Sequence, residues 1–160
     1  MLTIGLGYDI HPLTRAGTLI LAGVAVEGRC GPEREGADDD VVSHAVIDAL
    51  CGALRPAIGV RSIDDYFHQA DDPHGGIEFL ARFQPQLAKS SLDVLSLDCV
   101  ITLRDGPIAP VASAMATALA KALAVNHRRV GVKAKTGNGC DDAGRGRAVA
   151  AEVVILANLA

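Results

Sequence analysis

The sequence lacks the cysteine spacing of a zinc ribbon or a redox dithiol. Cys30, Cys51, Cys99 and Cys140 are widely separated and form no C-x-x-C pair, so reduced thiols in buried or loop positions are expected. Long apolar runs are missing too: no stretch reaches the roughly 18 uncharged residues that a membrane span requires. The N-terminus carries no basic segment with a cleavage site. These absences predict a soluble, cytoplasmic protein with no membrane partner. Basic residues are scarce, 15 Lys plus Arg against 19 Asp plus Glu for a net charge of −4. Phosphate binding through counterion release needs a basic surface, so a nucleic-acid partner is not expected. Neither an internal repeat nor a low-complexity tail occurs. What is present is an ordinary globular composition, 49% hydrophobic and 21% charged over 160 residues, which suits a single domain over 1–160 with a packed core.

Periodicity predicts strands over about residues 2–6 and 18–26, followed by a loop rich in Gly, Glu and Arg. A helix follows in DDDVVSHAVIDALCGAL, where Val42, Ala45, Val46, Ala49 and Leu50 recur at helical spacing behind a carboxylate-rich start. Residues 58–76 mix Gly, Asp and Pro and read as a long loop bordering a site. Next come a helix over about 76–89, interrupted near Pro85, a strand in SLDVLSLDCVITLR and an Ala-rich helix over about 110–124. The chain closes with a short strand in RRVGVKAK, a glycine-rich loop TGNGCDDAGRGR and an apolar strand AVAAEVVILANL. This order predicts an α/β (α+β) fold in which helices cover one face of a mixed β-sheet. The other face would then need a partner.

Three residue sets could carry chemistry. Asp9 and His11 stand at i and i+2, so an extended backbone points both to one face. They fit either a shared metal ion or a strand-end turn. His44 lies near the start of the best helix with Asp40 and Asp48 four residues to either side, and one of these carboxylates could orient its imidazole. Two His and one Asp form a three-ligand zinc set that leaves a position open for substrate. The third set is KAKTGNGCDDAGRGR, where Lys133, Lys135, Thr136 and several glycines fit either a phosphate cradle or a flexible hairpin. It matches no P-loop pattern, and it precedes a strand rather than opening a helix, which excludes a dinucleotide fingerprint.

The ordered segments GYDIHPL, ADDDVVSHAVIDALCGAL, VGVKAKTGNG and GRGRAVAAEVVIL resemble the 2-C-methyl-D-erythritol 2,4-cyclodiphosphate synthases of non-mevalonate isoprenoid biosynthesis, from residue 1 to 158. The resemblance implies a homotrimer with sheets packed around the threefold axis and active sites between neighbours. It implies a zinc ion on Asp9, His11 and His44 and a second divalent ion, Mg2+ or Mn2+. The implied reaction converts 4-CDP-2-C-methyl-D-erythritol 2-phosphate into the cyclic diphosphate: the 2-phosphate attacks the β-phosphate and CMP leaves. Thr136 falls on a threonine that steadies the transition state. Leu103, Arg104, Asp105, Gly106, Pro107, Ile108 and Ala109 fall on the cytosine-binding segment. Ile58, Gly59, Asp71, Lys135, Asn138 and Arg145 fall on further substrate-binding positions.

The chain also departs from the family pattern. Gly36 replaces a histidine expected to assist the transition state, Ala57 an aspartate that binds the erythritol hydroxyls, and Gln69 another carboxylate. Asn138 replaces a glutamate that holds the second metal, and Lys135 adds a positive charge beside it. Asp142 replaces an aromatic and Pro107 a lysine. The changes gather on the polyol and second-metal side. Two alternatives therefore stand beside the usual synthase: a paralogue acting on another CDP-linked polyol, and a non-catalytic trimer that binds metal and nucleotide.

Overall fold

The computed structural model describes residues 1–14, 17–28, 31–32, 40–58 and 76–159. A five-stranded sheet holds β1 (Leu2–Thr14), β4 (Gly31–Pro32), β5 (Leu92–Thr102), β6 (Val130–Lys135) and β7 (Ala148–Leu159) in the order β4-β1-β7-β5-β6. Only β5 and β6 run parallel; every other neighbouring pair is antiparallel. The sheet is mixed, as the sequence predicts. A separate hairpin pairs β2 (Leu19–Leu21) with β3 (Val24–Val26). Among the described residues the α-helices are α1 (Val41–Ile58), α2 (Ile77–Ala81), α3 (Gln84–Lys89) and α4 (Ile108–Leu123), with short 3-10 turns at His127–Arg129 and Gly137–Gly139.

Strand β1 runs well past the expected residue 6. Its backbone pairs with β7 from Leu2 through Pro12, and those ladder bonds hold the strand where its apolar pattern gives way to Asp9, His11 and Pro12. The apolar run at 18–26 is two strands rather than one. Ala22 and Gly23 both have positive φ, 50° and 70°, the geometry of a tight two-residue hairpin turn. The helix expected over 76–89 breaks into α2 and α3, and Pro85 sits in the first turn of α3, where its missing N–H leaves no helical bond unmade.

Helix α1 determines the layering. Val41, Val42, Ala45, Val46, Ala49, Leu50 and Leu54 are fully buried. The helix lies against β1 because that strand offers glycine at the crossing: a Cβ added to Gly5 would fall 1.8 Å from the Ala49 carbonyl oxygen, and one added to Gly7 1.9 Å from that of Ala45. No side chain fits there, so strand and helix backbones touch. Helix α4 packs along β6 and buries Ile108, Met115, Leu119 and Leu123.

The opposite face of the sheet is open. Along β1 the even positions Leu2, Ile4, Leu6, Tyr8 and Ile10 are 41–70% exposed, and Val154 and Leu156 of β7 extend the same apolar surface. Its far side is polar, with Asp98 of β5 paired to Lys133 of β6.

Candidate functional site

The odd positions of β1 face α1, and after Gly5 and Gly7 the next two are Asp9 and His11. Close packing at the glycines brings the first turn of α1 against this end of the strand, and His44 meets the pair there. His11 Nε2 is 2.9 Å and His44 Nδ1 3.0 Å from the same oxygen, Asp9 Oδ2. The two ring nitrogens are 3.3 Å apart, with the imidazoles edge-on at 74°. The other carboxylate oxygen of Asp9 accepts from the Ile10 N–H at 2.9 Å, which fixes its rotation. The side chains are 25%, 14% and 12% exposed for Asp9, His11 and His44, so the cluster is partly sheltered yet reachable.

Burial alone would raise the Asp9 carboxyl. Hydrogen bonds from His11 and His44, and their charge, outweigh it and hold the group well below the usual carboxylate range. Protonated, both imidazoles donate to one carboxylate oxygen; deprotonated, they turn their lone pairs towards a common point. Tetrahedral zinc with ligand bonds of about 2.0–2.1 Å requires donor–donor spacings of roughly 3.3–3.4 Å. The observed triangle of 2.9, 3.0 and 3.3 Å needs only slight expansion to match. Among the described residues this is the one group of three ligating side chains close enough to hold an ion, and the donor set fits a divalent cation.

The carboxylates flanking His44 make backbone contacts of their own. Asp40 is 1% exposed and caps α1 through the Val42 and Ser43 N–H groups. Asp48 Oδ2 accepts from the Tyr8 N–H at 3.4 Å and helps join α1 to β1.

A second feature forms where the loops after β5 and β6 meet. A cavity of about 300 Å³ is lined by Arg104, Thr136, Asn138, Gly139 and Gly144. Arg104 Nη1 donates to the Arg145 carbonyl at 3.3 Å, and Arg145 Nε to that of Gly139 at 3.2 Å. Thr136 is right-handed (φ −90°) and Gly137 left-handed (φ 69°), which turns successive backbone N–H groups to one side in an anion-binding concavity. Asn138, also at positive φ, accepts the Thr136 hydroxyl on Oδ1 at 3.2 Å. Of the two lysines of β6, Lys133 is paired with Asp98 on the open face, whereas Lys135 is exposed opposite Thr102. In the 103–109 segment Leu103 and Ile108 are buried anchors, and Arg104, Asp105, Pro107 and Ala109 are exposed, with Gly106 between them.

The structure thus brings together the three expected metal residues, and separately Arg104, Thr136, Asn138 and Arg145. Ile58 ends α1; Gly59 and Asp71, with Gly36 and Gln69, lie outside the described residues. Sequence reasoning missed the apolar face of β1. The alternation of Leu2, Ile4, Leu6, Tyr8 and Ile10 with Thr3, Gly5, Gly7 and Asp9 carried that signal.

Comparison with known proteins follows the same lines. The YgbB family model matches residues 2–158. The 2-C-methyl-D-erythritol 2,4-cyclodiphosphate synthase of Rhodopirellula baltica is 36% identical over 96% of this chain and 91% of its own length. That of Treponema denticola is 33% identical over 92% and 90%. A solved 2C-methyl-D-erythritol-2,4-cyclodiphosphate synthase in its CDP-bound form superposes with a TM-score of 0.79 at 25% identity, covering 97% of this chain and 99% of that one. With the match extending across almost every residue and the fold coinciding throughout, the chain belongs to the YgbB family.

Proposed function

We propose that this protein cyclises 4-CDP-2-C-methyl-D-erythritol 2-phosphate to 2-C-methyl-D-erythritol 2,4-cyclodiphosphate, releasing CMP. The observation that carries the reading is the convergence of Asp9 Oδ2, His11 Nε2 and His44 Nδ1 in a chain whose relatives bear that synthase's name. The resident ion is zinc or another divalent cation; bound to these residues it would neutralise phosphoryl charge and polarise a phosphoryl oxygen. One P–O bond forms between a 2-phosphate oxygen and the β-phosphorus, the bond from the β-phosphorus to the bridging oxygen breaks, and that oxygen departs with CMP. Water is not consumed, and no protein nucleophile is required.

The chain's own groups hold and orient the substrate. Asp9, His11 and His44 anchor the metal end. Thr136 offers its hydroxyl and the adjoining turn its backbone N–H groups to the diphosphate, while Arg104, Lys135 and Arg145 supply positive charge. The segment from Leu103 to Ala109 receives the cytosine, in keeping with the CDP found in the relative. Ile58, Gly59 and Asp71 remain assigned to the polyol side.

Asp9 belongs to β1 and Thr136 follows β6, with β7 and β5 between them. Three strand spacings amount to roughly 14 Å, too far for both residues of one chain to touch the same diphosphate. A homotrimer whose neighbours each complete the other's site resolves this, and the open apolar face of β1 and β7 is the surface it would bury. Asn138 favours one variation. It cannot give a second metal the carboxylate oxygen of a glutamate, so Mg2+ or Mn2+ should add little here while Lys135 meets part of the charge.

The test is incubation of the zinc-loaded protein with the CDP-methylerythritol phosphate substrate, followed by phosphorus NMR. CMP and the cyclic diphosphate in equal amounts are expected. No cyclic product with CDP binding retained would favour another CDP-linked polyol. No turnover of any CDP-linked polyol, with metal and nucleotide still bound, would leave the non-catalytic role.

A further inference from the structure

Asp40 stands one turn before His44 and its carboxylate is 1% exposed. Among the described residues, five donors converge on it. Oδ1 accepts from the N–H groups of Ala22, Val42 and Ser43 at 2.8, 3.1 and 3.2 Å; Oδ2 accepts from the Gly23 N–H at 2.8 Å and the Ser43 hydroxyl at 2.9 Å. Its carbonyl then receives the His44 N–H at 3.1 Å, the first helical bond of the turn that carries the imidazole.

Helix capping accounts for the bonds to Val42 and Ser43. It does not account for those to Ala22 and Gly23. These two residues form the left-handed turn between β2 and β3, and Ala22 pays for that conformation with a side chain that normally avoids it. The shortest of the carboxylate's backbone bonds go to this turn. Asp40 therefore clamps the β2–β3 hairpin to the start of α1. The hairpin is anchored in turn: Gly23 packs on Ile77 of α2, and Val26 stands 3.6 Å from where a Gly106 Cβ would lie. Helix α1 is consequently held at two places, by Gly5 and Gly7 beneath Ala45 and Ala49 and by the hairpin at its N-terminal end.

We infer that Asp40 is a positioning residue for the metal centre: by tying the β2–β3 turn to the first turn of α1, it holds His44 Nδ1 in register with Asp9 and His11. This rests on the metal reading of those three residues. Groups that orient metal ligands from behind typically change affinity about 10–100-fold when removed, and that range is expected here.

The discriminating variant is Asp40→Ser. Serine caps a helix about as well as aspartate, but its single oxygen cannot also reach both N–H groups of the turn. Zinc affinity, measured by competition with a chromogenic chelator, should fall at least about 10-fold, and the d–d absorption of bound Co2+ should change. Leu119→Ala, a core truncation on α4, serves as a control that lowers stability without touching the clamp, and should leave both readouts unaltered. Parent-like affinity and spectrum in Asp40→Ser would reduce Asp40 to an ordinary cap and overturn the inference. A parent protein with no zinc affinity would overturn the metal reading as well, so the two failures are distinguishable. Coupling is reciprocal, so the intact protein offers a check independent of any variant's folding. Zinc loading should slow hydrogen exchange at the Ala22 and Gly23 amides more than at those of α4. Equal or absent slowing contradicts the clamp.

Discussion

At the scale of single residues, three side chains from two elements meet at one point. His44→Ala should abolish zinc binding while leaving the far-UV spectrum and assembly essentially unchanged; full metal occupancy, read by elemental analysis, would disprove the ligand set. The imidazoles must be neutral to ligate, so affinity should decline as the pH falls below about 6. In the metal-free protein the depressed Asp9 carboxyl acts on stability with a definite sign. The folded state holds its proton less tightly than the unfolded chain, whose value is near 3.8. Its contribution is present above that pH and is lost as the pH falls further, which acid titration of wild type against Asp9→Asn would show. Burial, with Asp98 and Asp40 nearby, pushes the Cys99 thiol up to about 12. Iodoacetamide at neutral pH should therefore modify exposed Cys140 and spare Cys99 until the protein unfolds, as peptide mapping can verify. Spacing alone left Asp9, His11 and His44 as candidates, because a two-residue strand period and a helical histidine also suit turns and caps, and it was the family resemblance that singled them out. The turn contacts of Asp40 were not legible in the sequence, because Ala22 and Gly23 lie 18 and 17 residues away and are joined to it only by the fold.

At the scale of elements, β7 was readable to the residue as a mostly apolar strand, and α1 through its helical spacing. β1 was not. Its length is set by pairing with β7, which continues beneath polar side chains, and no composition rule sees that partner. The 18–26 run was misread because only the left-handed Ala22–Gly23 pair divides it. The contact of β1 with α1 makes the strongest mechanical prediction. Gly7→Val must drive a side chain into the Ala45 carbonyl, so α1 has to lift away from the strand. A loss of stability of about 1–3 kcal/mol or more is expected in chemical denaturation, together with weakened zinc binding, since the same helix delivers His44. Unchanged stability would show that the helix can slide at no cost.

At the scale of the whole molecule, an open sheet face was expected from the element order, and the structure shows where its apolar centre lies. It belongs chiefly to β1, with Val154 and Leu156, whereas β5 contributes exposed Asp93, Ser96 and Asp98. A trimer burying this face should sediment at close to three times the 16.5 kDa chain, and Leu6→Asp should shift it towards monomer. The measurement that bears most directly on the proposed shared, metal-bearing active site is subunit mixing. His44→Ala and Thr136→Ala should each be inactive alone. Unfolded together and refolded at equal concentrations, they should regain cyclic diphosphate formation at about a quarter of the parent rate, because each site then draws an intact His44 from one subunit and an intact Thr136 from its neighbour with even odds for each. A mixture as silent as either variant, with trimers formed and the parent active, would contradict the account.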